Sequence, residues 1–310
     1  MESKQEQIRH LVKEHNAIIV AHYYEPDDIQ AIADHLGDSL ALCLEAQKTT
    51  ADIIIFCGVH FMAESAKILN PSKTVMLPVP SARCLMADTI SAKSLSAWRA
   101  QQPEGAPIVT YVNSTAEVKA LSDICCTSAN AASVVRSLPD KTVLFTPDRN
   151  LAHWVQTKVP EKNIIAYDGA CPIHDILRAA DVQSILAKHP DAMLLAHPEC
   201  RDEVLRLAHM VTSTSGMFKA VGMHPEIKTF VLATESGILY LMHKQYPDKN
   251  FIIADADNGQ RMRCPYMKET TLDSILSCFA HPELHTVDVA PEIAQNARRA
   301  LERMMTVPRD

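Results

Sequence analysis

Three segments of this chain repeat one theme. They begin at His22 in AHYYEPDDIQAIADHLGDS, at Tyr111 in YVNSTAEVKALSDICCTS and at His197 in HPECRDEVLRLAHMVTST. In each, an apolar run (AIIVA, PIVT, MLLA) delivers a polar ring, an amphipathic stretch follows, and a hydroxyl residue comes next: Ser39, Ser128 or Thr214. The interval from ring to hydroxyl is 17 residues in all three. A second set, NPSKTVML, VPEKNIIAY and YPDKNFIIA, sets Pro71, Pro160 and Pro247 two residues before a lysine and a buried-strand pattern. Shortly after each comes a cysteine: Cys84, Cys171 and Cys264. Self-similarity at a fixed period constrains the fold more than local propensity does, because each repeat is one supersecondary unit. Three units with one cysteine each, at matching places, imply a centre built by three-fold convergence.

The units read as α/β. Candidate strands are AIIVAHY, DIIIFCG, TVMLP, PIVTYV, TVLFT, NIIAY, MLLAH, TFVLAT and FIIAD. Most are continuous apolar runs, the mark of parallel strands covered on both faces. Helical patterns alternate with them: DIQAIADHL, FMAESAKIL, AEVKALSD, DEVLRLAHM and ILYLMHKQY. The expected architecture is three pseudo-symmetric α/β units with small parallel sheets in three layers around a central cavity. Boundaries fall after each cysteine, giving units 1–86, 87–173 and 174–310. The tail PEIAQNARRALERMM has helical spacing and is suited to pack back on another unit.

Composition excludes several classes. The 310 residues carry a net charge of −7, so no basic footprint for nucleic acid is expected. No run of about 18 uncharged apolar residues exists, and the N-terminus is too polar for a secretory signal, so a cytoplasmic protein without membrane contact is expected. No G-x-G-x-x-G or P-loop motif occurs, which disfavours a conventional nucleotide cofactor. In such a compartment the nine cysteines read as thiols, ligands or catalytic groups rather than disulfides.

Parallel sheets bind ligands beyond the carboxyl ends of their strands, where His22, Tyr111 and His197 lie. Ser39, Ser128 and Thr214 each precede a helical stretch, and helix N-termini favour anions. Three of them facing one cavity would hold a polyanion: a di- or tricarboxylate, or a phosphate ester. Residues i and i+2 of an extended segment share a face, so each strand end presents a pair: His22 with Tyr24, Tyr111 with Asn113, His197 with Glu199. A histidine beside a carboxylate suits general acid–base work, although Glu199 also reads as an ion-pair or capping group. His60 and His174 read as structural histidines at least as readily as functional ones. Cys43, Cys57, Cys125 and Cys278 sit in apolar surroundings and read as core. Cys84, Cys171 and Cys264 lie in loops after strands. Three thiolates suit zinc, Cu(I) or an iron–sulfur cluster. A cubane cluster on three cysteines leaves one iron open, able to act as a Lewis acid.

Taken together, AHYYEPDDIQAIADHLGDSL, GVHFMAESAKILNPSKTV, YVNSTAEVKALSDICCTSANA, HPECRDEV, TSTSGM and ATESGILYLMHKQYPDKNF resemble the quinolinate synthase family over residues 8 to 305 or so. The resemblance implies a [4Fe–4S] cluster on Cys84, Cys171 and Cys264. It implies condensation of iminoaspartate with dihydroxyacetone phosphate to quinolinate, phosphate and water, a step of de novo NAD biosynthesis. It places His22, Tyr24, Ser39, Tyr111, Asn113, Ser128, His197, Glu199, Ser213 and Thr214 in the active site, with Tyr24 and Glu199 as proton-transfer groups. A functional link to a source of iminoaspartate such as L-aspartate oxidase is also implied. The alternative is another open-site iron–sulfur enzyme of similar architecture, reductive or radical, which would require an electron donor. A non-enzymatic anion sensor is the remaining reading.

Overall fold

The computed structural model of the protein describes residues 2–310. It contains three four-stranded parallel sheets of one design. The first holds β1 (Ala17–His22), β2 (His35–Gly37), β3 (Ile53–Cys57) and β4 (Thr74–Met76). The second holds β5 (Ile108–Tyr111), β6 (Ile124–Cys126), β7 (Thr142–Thr146) and β8 (Asn163–Ala166). The third holds β9 (Met193–Ala196), β10 (Met210–Val211), β11 (Thr229–Ala233) and β12 (Asn250–Ile253). Within each sheet the spatial order is second, first, third, fourth. The chain therefore reverses direction across the sheet beside its first strand, where ligands bind in such folds. The first and third strands are buried almost throughout, as their unbroken apolar runs require.

All nine expected strands are present. The three additional ones, β2, β6 and β10, are the second strand of each unit, and each spans only two or three residues. Two of them, β2 and β10, lie where the helical periodicity of the sequence continues. The helix after β1 is Asp27–Ile32 and stops short of His35; that after β9 is Asp202–Leu205 and stops short of Met210. One device ends all three crossings, twelve residues after each ring. Asp34 accepts from the Ile19 N–H at 2.8 Å, Asp123 from Ile108 at 2.7 Å, and the His209 ring Nδ1 from Leu194 at 2.9 Å. Each of these residues also donates its own N–H back to the same partner's carbonyl. The side chain thus fastens the chain to the sheet edge, and strand pairing overrides local helix propensity.

The helix Pro291–Met305 does pack on another unit. Its buried stripe of Ala297, Ala300, Leu301 and Met304 lies against the helix Ala116–Ala120, β6 and the helix His60–Leu69. Leu272–Ala280 packs on Lys4–Glu14, and Thr286 bridges to Met76 of the first sheet. The chain beyond residue 270 therefore covers the first two units.

Candidate active site

The carboxyl ends of the strands enclose one cavity of about 80 Å³, several times the roughly 10–15 Å³ that a water needs. That suits a small molecule. Strand rank decides what each unit contributes. The first strands deliver His22 with Tyr24, Tyr111 with Asn113, and His197 with Glu199. The second strands deliver Asp38 with Ser39, Thr127 with Ser128, and Thr214. The loops after the fourth strands deliver Cys84, Cys171 and Cys264. Every residue expected from the sequence in the active site or as a cysteine ligand lines this space except Ser213, and His60, weighed as structural or functional, does not line it. The Ser213 hydroxyl caps the helix Thr214–Met223 by accepting from the Gly216 N–H at 3.3 Å.

A continuous hydrogen-bonded path crosses the cavity wall. Tyr111 Oη donates to Glu199 Oε1 at 2.6 Å, and the other carboxylate oxygen lies 2.9 Å from His174 Nδ1. In a neutral ring this leaves His174 Nε2 to accept from Thr234 Oγ1, 3.1 Å away. Thr234 in turn meets Tyr24 Oη at 2.7 Å, and Tyr24 meets Thr214 Oγ1 at 2.9 Å. The path joins residues of all three units and is buried throughout. Beside this path, His197 Nε2 meets Ser128 Oγ at 3.2 Å. Asn113 Oδ1 is buried with no partner, an acceptor left for a ligand to satisfy.

Burial sets the charges. It pushes His22 down to about 4 and His197 to about 3, so both rings are neutral near pH 7. It pushes the Tyr24 and Tyr111 phenols well above their usual range, so both remain donors. For Glu199 burial opposes ionisation, but neighbouring imidazoles and the bonds it accepts hold its carboxyl below the usual carboxylate range. Since His197 is itself neutral, the bonds from Tyr111 and His174 are the cause that carries weight. Beside the ion-paired Asp38 and Glu235, the site thus holds one buried carboxylate, Glu199, whose partners are a phenol and an imidazole. That arrangement favours proton transfer at a small anionic substrate.

The three cysteines are half-buried, and no disulfide joins any of the nine. Burial raises their thiols, Cys84 to about 12, so a metal centre here would have to displace protons. Two cysteine loops are tied down by acids at the ends of the third strands. Asp148 accepts from the Cys171 N–H at 3.0 Å, and Glu235 from the Cys264 N–H at 3.1 Å. Lys268 pairs with Glu235 at 3.0 Å and also donates to the Tyr24 carbonyl.

His174, Thr234, Asp148 and Glu235 were not singled out from the sequence as functional. His174 had a signal: in CPIHD it follows Cys171 by three residues. The short helix Pro172–Asp175 brings its Nδ1 within 3.3 Å of the Cys171 sulfur. Cys171, His174 and Glu199 form a group able to hold a metal ion. Asp148 and Glu235 occupy matching places after β7 and β11, in TPDRN and ATESG. Aligning third-strand ends would have found them. Arg83 also lines the cavity and pairs with Asp88 at 3.1 Å.

Fold and site together define a three-unit α/β protein whose units converge on one cavity bearing three thiols, paired strand-end side chains and a buried carboxylate. The chain belongs to the quinolinate synthetase A family, whose profile matches residues 6–306. It is 50% identical over 305 residues to a quinolinate synthase of Geobacter metallireducens, covering 98% of both chains. It is 48% identical to one of Thermodesulfovibrio yellowstonii, covering 97% of both. It is 43% identical to quinolinate synthase 2 of Methanosarcina acetivorans, covering 97% of this chain and 95% of that one.

Proposed function

We propose that this chain condenses iminoaspartate with dihydroxyacetone phosphate to give quinolinate, phosphate and water, in de novo NAD biosynthesis. The observation that carries this reading is the placement of Cys84, Cys171 and Cys264 on one cavity with the three ring-and-hydroxyl sets. The donor set fits an iron–sulfur centre. Three soft thiols come from three separate units, and two of their loops are braced by carboxylates, as outer-shell partners brace ligands. These cysteines would hold a [4Fe–4S] cluster, which supplies a Lewis-acid position when bound.

The residues divide the remaining work. Glu199, ionised and fixed by Tyr111 and His174, takes a proton from the substrate carbon or nitrogen. Tyr24, reached through Thr234 and His174, returns one to the departing oxygen. Ser39, Ser128 and Thr214 lie at or just before helix N-termini and grip carboxylate or phosphate oxygens. His22 and His197, neutral, hydrogen-bond to the same groups at no cost in buried charge. Tyr111 and Asn113 orient the intermediate, and Ser213 acts through its cap on the helix that carries Thr214. Burial of the path excludes water during dehydration.

No helix among the described residues is long and apolar enough to cross a membrane. A cytoplasmic location and a functional link to L-aspartate oxidase belong to this reading. The test is an assay of the anaerobically purified protein with both substrates and no electron donor. Quinolinate formation supports the proposal. A need for an external reductant would favour a reductive or radical enzyme instead.

A further inference from the structure

A second, larger space adjoins the cavity from outside. This cleft of about 600 Å³ is lined by Arg136, Lys158, Lys219 and Arg309. Among the described residues its one lining acidic side chain is that of Asp310, and that side chain is committed. Its oxygens accept from the Ala132 and Ser133 N–H groups at 3.0 and 2.7 Å. The cleft floor carries Trp154, Met210 and Met223, the last 70% exposed. Four cations beside apolar lining residues, with no uncommitted acidic side chain among them, focus a positive potential.

The wall between cleft and cavity is thin. Ser128 lines both spaces, while Ser213 faces the cleft and its neighbour Thr214 faces the cavity. The rest of the wall includes one forked ion pair. Arg309 lines the cleft and Asp38 lines the cavity. Arg309 Nη1 lies 3.0 Å from Asp38 Oδ2, and Nη2 lies 3.3 Å from Oδ1. Asp38 Oδ1 also accepts from the Ala41 N–H at 2.9 Å, which holds the carboxylate in place, while Oδ2 is left without a partner if the guanidinium leaves and so draws it back.

We propose that this cleft captures the phosphorylated substrate and that the Arg309–Asp38 pair gates its passage into the cavity. The identity of the phosphate ester rests on the reaction proposed above. A phosphate monoester dianion reaching the cleft outcompetes one carboxylate for the guanidinium fork, which matches phosphate geometry as well as it matches Asp38. Transfer of the fork breaks the partition beside Ser128. Once the phosphate has moved on to the hydroxyls inside, Asp38 recovers its partner and the wall closes.

The test uses the full chain with its metal centre loaded. The value of kcat/KM for dihydroxyacetone phosphate is measured at ionic strengths of about 10 and 150 mM, where the Debye length falls from roughly 30 to 8 Å. A Lys158→Gln/Lys219→Gln protein should lose about tenfold at low ionic strength, and the loss should vanish at the higher one. A Lys93→Gln/Lys188→Gln protein carries the same charge change away from the cleft and should match wild type at both. Calorimetric titration with dihydroxyacetone phosphate, which needs no turnover, should show about tenfold weaker binding in Arg309→Gln, partly restored in Arg309→Lys. Equal kcat/KM in the two double variants would overturn the capture role, and unchanged calorimetric binding in Arg309→Gln would overturn the gate. Salt-dependent binding by a wild type that makes no quinolinate would instead overturn the proposed reaction and leave the cleft assignment standing.

Discussion

Replacing Glu199 with Gln isolates the one buried charge on which the proposed chemistry depends. The change is isosteric, and Glu199 is only 4% exposed, so the cavity shape is kept. The bond from Tyr111 at 2.6 Å loses its charge, and the amide nitrogen replaces the oxygen that His174 Nδ1 meets at 2.9 Å, so that ring must change tautomer to keep a bond. Hydrogen bonds to a charged group contribute about 1.5–3 kcal/mol, against about 0.5–1.5 for neutral ones. Two such downgrades weaken the fixed geometry by about 2–3 kcal/mol. Removal of the proton acceptor costs a further factor of about 10²–10⁴ in rate. Global stability should change little, because the relief of burying a neutral amide offsets the weaker bonds. The expected protein keeps wild-type metal content and urea midpoint and makes quinolinate at least about 100-fold more slowly. Turnover within threefold of wild type would remove Glu199 from the mechanism, and loss of the metal would move it from proton transfer to structure.

Three further outcomes are expected. Tyr24→Phe cuts the path between Thr214 and Thr234 and should lower kcat by about tenfold or more with little change in KM, read by steady-state kinetics. Stability should fall on acidification: His22 and His197 are held neutral down to about 4 and 3, whereas an unfolded histidine takes its proton near 6.5. The unfolded state therefore binds more protons below pH 6.5, and each ring removes about 2 kcal/mol by pH 5; a flat urea midpoint from pH 7 to 5 would contradict that burial. Leu301→Ala empties a fully buried position under the helix Pro291–Met305 and should cost about 2–5 kcal/mol in chemical denaturation.

Much of this architecture is written in the sequence because it is written three times. The 17-residue interval located the hydroxyls of all three second strands before any of those strands was recognised. Continuous apolar runs announce the first, third and fourth strands; burial on both faces leaves nothing polar to interrupt the first and third, while the fourth strands, at the sheet edges, are only partly buried. The second strands stayed hidden because two or three residues cannot display a period, and their ends are set by side chains reaching back to Ile19, Ile108 and Leu194. Such a contact is tertiary, yet its twelve-residue offset from each ring is readable afterwards. His174, a lone ring in CPIHD, reads as a structural histidine at least as readily as a functional one. Its part shows only where Glu199 and Thr234, distant in the chain, meet its two nitrogens. Asp148 and Glu235 look like ordinary loop acids until the cysteine N–H groups they hold are in view.

The central claim is that three converging cysteines and the surrounding rings and hydroxyls form one catalytic centre. The most direct measurement is iron and sulfide content, with quinolinate formation, for anaerobically purified wild type and Cys84→Ala side by side. The account predicts about four irons and four sulfides per wild-type chain, with product formed from iminoaspartate and dihydroxyacetone phosphate, and loss of both cluster and product in the variant. Zinc or no metal in the wild type, without product, would contradict it.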